Sequence, residues 1–182
     1  MRKITLMSGI PGSGKSTEAE VRMCGSVNRP MLENCSHNRN PDNIIVSADH
    51  HFMDGPIYKF DVSQLSAAHG SCLKSYLRAV SGWETVIGEH FAPEHVVVDN
   101  TFVSSIELAP YIALAQAYDI PVEVVTVRVR DIDVHLAAQR NSHGVPLGAV
   151  ERMAVTLKER VSPFHWQTKM GVTFTYIDAV FR

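Results

Sequence analysis

The chain has 182 residues, a length that fits one folded domain, residues 1–182, with a substantial core. Apolar residues make up 45% of it and charged residues 20%, and no apolar run approaches the roughly 20 residues that cross a bilayer. The formal net charge of −2 excludes attraction of nucleic acid by the whole molecule, so contact with a polynucleotide would need a local basic patch.

Short apolar runs alternate with segments typical of helices along the chain. In 65–80, for example, apolar residues recur at three- and four-residue steps. Strands that alternate with helices predict an α/β fold, a mostly parallel sheet with helices on both faces. In chain order we predict strand 4–7, helix 17–24, surface loop 25–43, strand 44–46, helix 65–80, strand 96–98, helix 105–118, strand 122–127, helices 134–141 and 147–161, and strand 172–177.

The sharpest motif lies between the first predicted strand and the first predicted helix. It matches G-x-x-x-x-G-K-[ST], a P-loop, whose backbone N–H groups surround the β-phosphate of a nucleotide. Lys15 would reach the β- and γ-phosphates, and the Ser16 hydroxyl would bind Mg²⁺. The motif predicts ATP and Mg²⁺ as cofactors. The predicted cofactor-binding residues are Gly9, Pro11, Gly12, Ser13, Gly14, Lys15, Ser16 and Thr17.

Two carboxylates follow predicted strands, where ligands of parallel sheets bind. Asp49 is the candidate general base for an acceptor hydroxyl, because it follows the strand that we expect to neighbour the P-loop strand. Asp99 ends a run of three valines and is the candidate second Mg²⁺ ligand. Either could instead cap a turn or helix. Asn100 and Thr101 are weaker candidates for positioning the acceptor.

Phosphoryl transfer also needs positive charge near the transferred group, and small P-loop kinases supply it from a helical lid. The lid is predicted at about 130–146, and Arg140 is its first candidate to contact the phosphates. Arg152 is the second candidate, with Arg128 and Arg130 in reserve. For each of them the alternative is a solvated surface arginine.

Aromatic residues and histidines follow Asp49. His50 and Phe52 are predicted to contact the acceptor, and Phe52, Tyr58 and Phe60 could stack on an unpaired base, although core packing is the alternative for them. The nine histidines form no zinc-binding motif. The three cysteines match no metal-ligand spacing and predict reduced thiols in a cytoplasmic protein.

Four segments in this order resemble the 5′-polynucleotide kinase family. They are 9–17, 46–49, 97–101 and 140–153, the last with Arg140-Asn141-Ser142-His143-Gly144-Val145-Pro146 and Glu151-Arg152-Met153. The resemblance implies a P-loop kinase-type fold with Asp49 as catalytic base, Lys15 and Ser16 on ATP and Mg²⁺, and Arg140 on the phosphates. The phage enzyme of this family binds the acceptor's 3′-phosphate with an arginine. This chain has Phe52 at that position, and a phenylalanine cannot pair with phosphate.

The sequence therefore predicts an ATP- and Mg²⁺-dependent kinase. The expected acceptor is a nucleic-acid hydroxyl, either a 5′ end or the hydroxymethyl group of a modified pyrimidine in DNA, as in some phage relatives of the family. One alternative is a kinase of a nucleoside, sugar or sugar nucleotide. A second is a nucleotide-dependent binding module without an acceptor. No membrane contact is expected, and no protein partner is inferable.

Overall fold

The computed structural model describes residues 1–24, 43–84 and 88–181. The predicted loop 25–43 lies almost entirely outside the described residues. Five strands form the main sheet: β1 Lys3–Ser8, β2 Asn43–Val46, β7 His95–Asp99, β8 Val122–Arg128 and β9 Thr173–Asp178. The described residues form six α-helices, namely α1 Lys15–Cys24, α2 Leu65–Ser81, α3 Ser105–Ala117, α4 Val134–Arg140, α5 Leu147–Glu159 and α6 Phe164–Thr168.

All neighbouring strands of the main sheet are parallel, in the order β2-β7-β1-β8-β9. The expectation that the strand before Asp49 neighbours the P-loop strand is wrong, because β7 lies between β2 and β1. Burial explains this order: every residue of β7 is buried, whereas Asn43, Ile44 and Ile45 of β2 are half-buried, as an outer strand requires.

Helices cover both faces of the sheet, as predicted. On one face α1 packs Ala19 and Met23 against Met7 and Val97 of the central strands. On the other face α2, α3 and α6 bury a larger apolar cluster. It includes Tyr76, whose hydroxyl donates to the carbonyl oxygen of Tyr111 across the α2–α3 contact. None of the described helices has the length and apolar character needed to span a membrane.

The predicted lid, about 130–146, contains α4 and the loop that joins it to α5, and α5 packs beside it. Val134, Ala137 and Val150 of these helices form a small apolar cluster with Ile10 of the P-loop. The two helices therefore pack directly on the P-loop, and not on the main core.

Several elements were not predicted. Two hairpins, β3 Met53–Asp54 with β4 Ile57–Tyr58 and β5 Trp83–Glu84 with β6 His90–Phe91, have strands of two residues, too short for a periodic pattern.

The state of the cysteines also differs from the prediction of three reduced thiols. Cys24 is disulfide-bonded, whereas Cys72 is a buried free thiol.

Candidate nucleotide and acceptor site

The P-loop joins β1 to α1 at the carboxyl edge of the sheet. Gly12 has φ +75°, and a Cβ atom there would lie 1.9 Å from the carbonyl oxygen of Ala137 in α4. Glycine is therefore required at this position for both its backbone angle and the close approach of the lid. The loop is also tied to the segment after β7, since the Gly9 N–H donates to the Thr101 carbonyl oxygen over 2.8 Å.

Lys15 and Asp99 form an ion pair at this edge. The Lys15 Nζ to Asp99 Oδ1 distance is 2.7 Å, and each side chain is 11% exposed. Asp99 is paired in register with Met7 of β1, which brings the end of β7 beside the start of the P-loop. The two predicted phosphate- and metal-site residues are thus brought together.

The P-loop residues fit a nucleotide phosphate with Mg²⁺. Gly14 has φ +89° and open space where a Cβ atom would lie, as expected of a loop that surrounds a ligand with backbone N–H groups. The Ser16 hydroxyl and the Asp99 carboxylate are hard oxygen donors of the kind Mg²⁺ prefers. Among the described residues no group of three or more His, Cys, Asp or Glu could hold a metal ion. Mg²⁺ in P-loop sites needs no such group, because substrate phosphates provide ligands.

A cavity of about 540 Å³ opens beside the P-loop. Its lining combines the phosphate-loop residues with a wall that is mostly apolar and aromatic. This wall includes Phe52, Tyr58, Phe60, Val62, Leu65, Val103, His143, Val145, Pro146, Ala149 and Met153. Among the described residues that line it, the arginines and lysines are Lys15 and Arg140. The cavity thus combines phosphate-loop residues with a mostly apolar wall, and the carboxylates of Asp49 and Glu107 also line it.

Asp49 lies on the wall of this cavity, in a short 3₁₀ turn at Ala48–Phe52. The turn is held to the end of β7 by two hydrogen bonds. The Ser47 hydroxyl donates to the Asp99 carbonyl oxygen over 2.8 Å, and the Ala48 N–H donates to Asn100 Oδ1 over 2.9 Å. The position of Asp49, the candidate base, is therefore set by hydrogen bonds to the end of β7, although Asp49 follows β2 in the chain.

The Asp49 carboxylate is approached by two side chains from other segments. The Tyr58 hydroxyl donates to Oδ1 over 2.9 Å, and His143 Nε2 lies 3.8 Å from Oδ2. Burial and the hydrogen bond to Asp49 raise the pKa of Tyr58 well above its ordinary value. Tyr58 thus stays protonated and donates to a carboxylate that is 45% exposed toward the cavity.

The predicted arginines occupy different places. Arg140, at the end of α4, lines the large cavity, while its guanidinium donates to the Val180 carbonyl oxygen over 3.2 Å and lies 5.3 Å from the Phe181 ring centre. Arg152 is exposed on α5 and does not line the cavity. Arg128 and Arg130 form exposed pairs with Asp178 and Asp133.

The predicted acceptor residues divide between the cavity wall and its support. Phe52 is only 5% exposed and packs against Phe60, with ring centres 5.1 Å apart, so its role is largely core packing at the base of the wall. Asn100 is buried and holds the Asp49 turn, but it lines the cavity as Thr101 does, whereas His50 is exposed outside it. Sequence reasoning did not single out His143, because nothing in its sequence context marks it as facing Asp49.

A smaller cavity of about 140 Å³ adjoins the P-loop on its other side. It lies between Ser13, Gly14 and Thr17 and the segment 177–180, which contains the last two residues of β9 and the two that follow. Arg140 lines both cavities. Arg140 thus lies beside both cavities, and both cavities border the phosphate loop.

No model of a known protein family matches the chain. Human NEDD4-binding protein 2 is 31% identical to it over 156 residues, 82% of this chain but 7% of that protein. A solved AvrRxo1-ORF1:AvrRxo1-ORF2 complex matches with a TM-score of 0.58 and 17% identity, covering 87% of this chain and 48% of that chain. The same complex with ATP gives a TM-score of 0.57, 18% identity and the same coverage.

The chain thus spans about half of those solved chains and a small part of the human protein. At these identities the solved structures establish the fold alone. That fold is the α/β fold of P-loop kinase-type proteins, with a five-stranded parallel sheet and helices on both faces.

Proposed function

We propose that this chain is an ATP- and Mg²⁺-dependent kinase that transfers the γ-phosphoryl group to a hydroxyl group carried by nucleic acid. The observation that carries the proposal is the shared cavity: Lys15 of the P-loop and Asp49, the candidate base, both line it. A phosphate-binding loop and a positioned carboxylate on one cavity are what hydroxyl phosphorylation requires. The resemblance to the polynucleotide kinase family supports the same reaction.

ATP would bind with its phosphates on the P-loop. The adenine of ATP would occupy the smaller cavity, between Arg140 and residues 177–180. Arg140 would then lie over the phosphate chain, between the two cavities. The ATP complex of a structurally similar protein supports this choice of nucleotide. Ser16 and Asp99 would hold Mg²⁺, which neutralises developing charge on the phosphate oxygens.

In the proposed step, the acceptor oxygen forms a bond to the γ-phosphorus while the bond to the β–γ bridging oxygen breaks. The hydroxyl proton passes to the Asp49 carboxylate, and ADP leaves. Lys15 stabilises the negative charge on the phosphates. Tyr58 holds Oδ1 through its hydrogen bond and so restricts the orientation of the carboxylate that accepts the proton.

The wall around Asp49 favours an acceptor whose body is flat and uncharged. Tyr58, Phe60 and Leu65 contribute aromatic and apolar surface, and Phe52 takes the place where the phage enzyme carries its phosphate-binding arginine. A hydroxymethylated pyrimidine, turned out of a DNA strand and stacked on this wall, suits it better than a 5′ end that carries a 3′-phosphate. Among nucleic-acid acceptors, we therefore propose a hydroxymethylated pyrimidine ahead of a 5′-hydroxyl end.

A small-molecule acceptor is the second candidate. A volume of about 540 Å³ lies within the range of small-ligand pockets, and a net charge of −2 gives no general attraction for DNA. Nucleosides and sugars are the acceptors to compare.

The test is label transfer from γ-labelled ATP with Mg²⁺ to a panel of acceptors. The panel contains DNA with hydroxymethyl pyrimidines, 5′-hydroxyl DNA and RNA, nucleosides and sugars. Label on the modified base is the expected result. Label only on nucleosides or sugars would replace the nucleic-acid acceptor, and ATP hydrolysis with no labelled acceptor would contradict the kinase proposal. The same transfer is measured with Asp49→Asn, which lacks the candidate base. Asp54→Asn is its matched control, because Asp54 is 71% exposed and pairs with Lys59 outside the cavity.

A further inference from the structure

The loop between α4 and α5, residues 141–146, has internal hydrogen bonds that fix one of its side chains over the cavity. Asn141 Oδ1 accepts from the His143 N–H over 2.9 Å, and Asn141 Nδ2 donates to the Val145 carbonyl oxygen over 2.8 Å. Gly144 follows with φ +68°, a left-handed angle that suits glycine. The loop therefore presents His143 in a defined direction.

His143 faces the same carboxylate as Tyr58. The two rings meet edge to face with their centres 4.9 Å apart, and they lie against opposite oxygens of Asp49. Tyr58 comes from the β3–β4 hairpin, whereas His143 comes from the lid. The candidate base is thus held between two independent segments.

The surroundings of the imidazole favour one tautomer. Nδ1 is buried and has no hydrogen-bond partner among the described residues, whereas Nε2 faces Asp49 Oδ2. A proton on Nε2 is attracted by the carboxylate, whereas a proton on Nδ1 would leave a buried N–H without a partner. A proton on Nε2 therefore suits this position.

We propose that His143 is the positioning residue through which the lid orients Asp49 for proton abstraction. This inference rests on the proposed function. The Nε2–H group attracts Oδ2 while Tyr58 holds Oδ1, so the carboxylate plane is fixed relative to the acceptor hydroxyl. His143 takes no proton from the acceptor. Its effect on turnover is exerted through Asp49 alone.

A double-mutant cycle between His143 and Asp49 separates positioning from general support of the fold. His143→Ala should lower kcat for the acceptor by about 10–100-fold with little change in the KM for ATP, and His143→Gln, which keeps an N–H donor, should recover most of it. In the Asp49→Asn background, His143→Ala should have almost no further effect. An equal loss in both backgrounds would overturn the proposal.

His135→Ala is the matched control. His135 lies on α4, is 67% exposed and faces Glu151 outside the cavity, so this variant should keep wild-type turnover. If wild-type protein phosphorylates no acceptor, the proposed function fails, and the cycle no longer reports on His143. Activity that depends on Asp49 but shows additive effects would reject only the positioning role.

Nitrogen-15 NMR of the labelled histidines tests the same contact without any acceptor. The proposal predicts that His143 carries its proton on Nε2 in the wild-type protein, and that Asp49→Ala weakens this preference. A proton on Nδ1, or a tautomer unchanged by Asp49→Ala, would contradict it. This measurement keeps the His143 proposal testable even if the kinase proposal fails.

Discussion

Lys15 Nζ and Asp99 Oδ1 lie 2.7 Å apart at the carboxyl edge of the sheet, joining the first turn of α1 to the end of β7. Both side chains are mostly shielded from water, where an unpaired charge is costly. The pair therefore holds the proposed phosphate-binding lysine and Mg²⁺-binding carboxylate next to each other. The same two residues would contribute to both stability and chemistry.

Lys15→Ala should abolish phosphoryl transfer, because the γ-phosphate loses its main cationic partner in the chain. It should also lower the free energy of unfolding by about 1–3 kcal/mol, since Asp99 is left without its counter-charge. Label transfer and chemical denaturation measure the two effects. Lys59→Ala, which removes an exposed ion pair with Asp54, is the control and should change neither. Wild-type transfer by the Lys15 variant would remove this residue from the site.

Arg140→Ala should slow transfer more than it weakens ATP binding, because its charge is expected to act on the transferred group. Comparison of kcat with ATP affinity from calorimetry measures this difference. Arg152→Ala is the matched control, since Arg152 is exposed on the neighbouring helix and lines neither cavity. A larger loss from Arg152→Ala than from Arg140→Ala would exchange their roles.

His95 should make stability depend on pH. The residue is 4% exposed, and its Nε2 lies 2.9 Å from Thr5 Oγ1. Burial, helped by Lys3 and Arg22, lowers the pKa of His95 from 6.5 to about 4. The unfolded chain therefore binds a proton in this range that the folded chain does not, and stability falls as pH decreases from 6.5 to about 4.

The full His95 contribution is on the order of 3 kcal/mol. Denaturant unfolding of wild-type protein and His95→Gln across this pH range measures it. The variant should lose less stability on acidification than the wild type does. Identical losses would show that other groups cause the acid sensitivity.

Arg160 is expected to stabilise the strands that support the proposed site. Its guanidinium donates to Ser8 Oγ and the Phe102 carbonyl oxygen, both over 2.7 Å, and to Thr126 Oγ1 over 2.8 Å. Arg160→Lys keeps the charge but cannot make all three bonds, and should lower the free energy of unfolding by about 2 kcal/mol. Arg128→Lys, at a 56% exposed arginine, should cost less than about 0.5 kcal/mol. Equal effects in denaturant unfolding would contradict this role.

The main strands and the P-loop could be predicted because their signals are local. The valines at 96–98 are buried on both faces, and the glycine-rich segment 9–14 lies between a strand and a helix. The α/β fold, the parallel sheet and the helices on both faces are confirmed. Helix α1 begins at Lys15, two residues earlier than predicted, since the phosphate loop passes directly into the helix.

Relations between distant segments could not be predicted. The place of β7 between β1 and β2 depends on pairing between strands that are far apart in the chain, which a local apolar run does not specify. The contacts of Tyr58 and His143 with Asp49 depend on how a hairpin and the lid pack over the cavity. The roles of Asp49, Asp99 and Arg140 stay predictions until variants are measured.

The most direct test of the account is single-turnover transfer from γ-labelled ATP by wild-type protein and Asp49→Asn, with ATP binding measured in parallel. The account predicts that the variant binds ATP nearly as well and transfers about 10²–10⁴-fold more slowly, because the acceptor hydroxyl loses its base. Asp54→Asn should match the wild type. Equal transfer rates for Asp49→Asn and the wild type would contradict the central claim that Asp49 accepts the acceptor's proton.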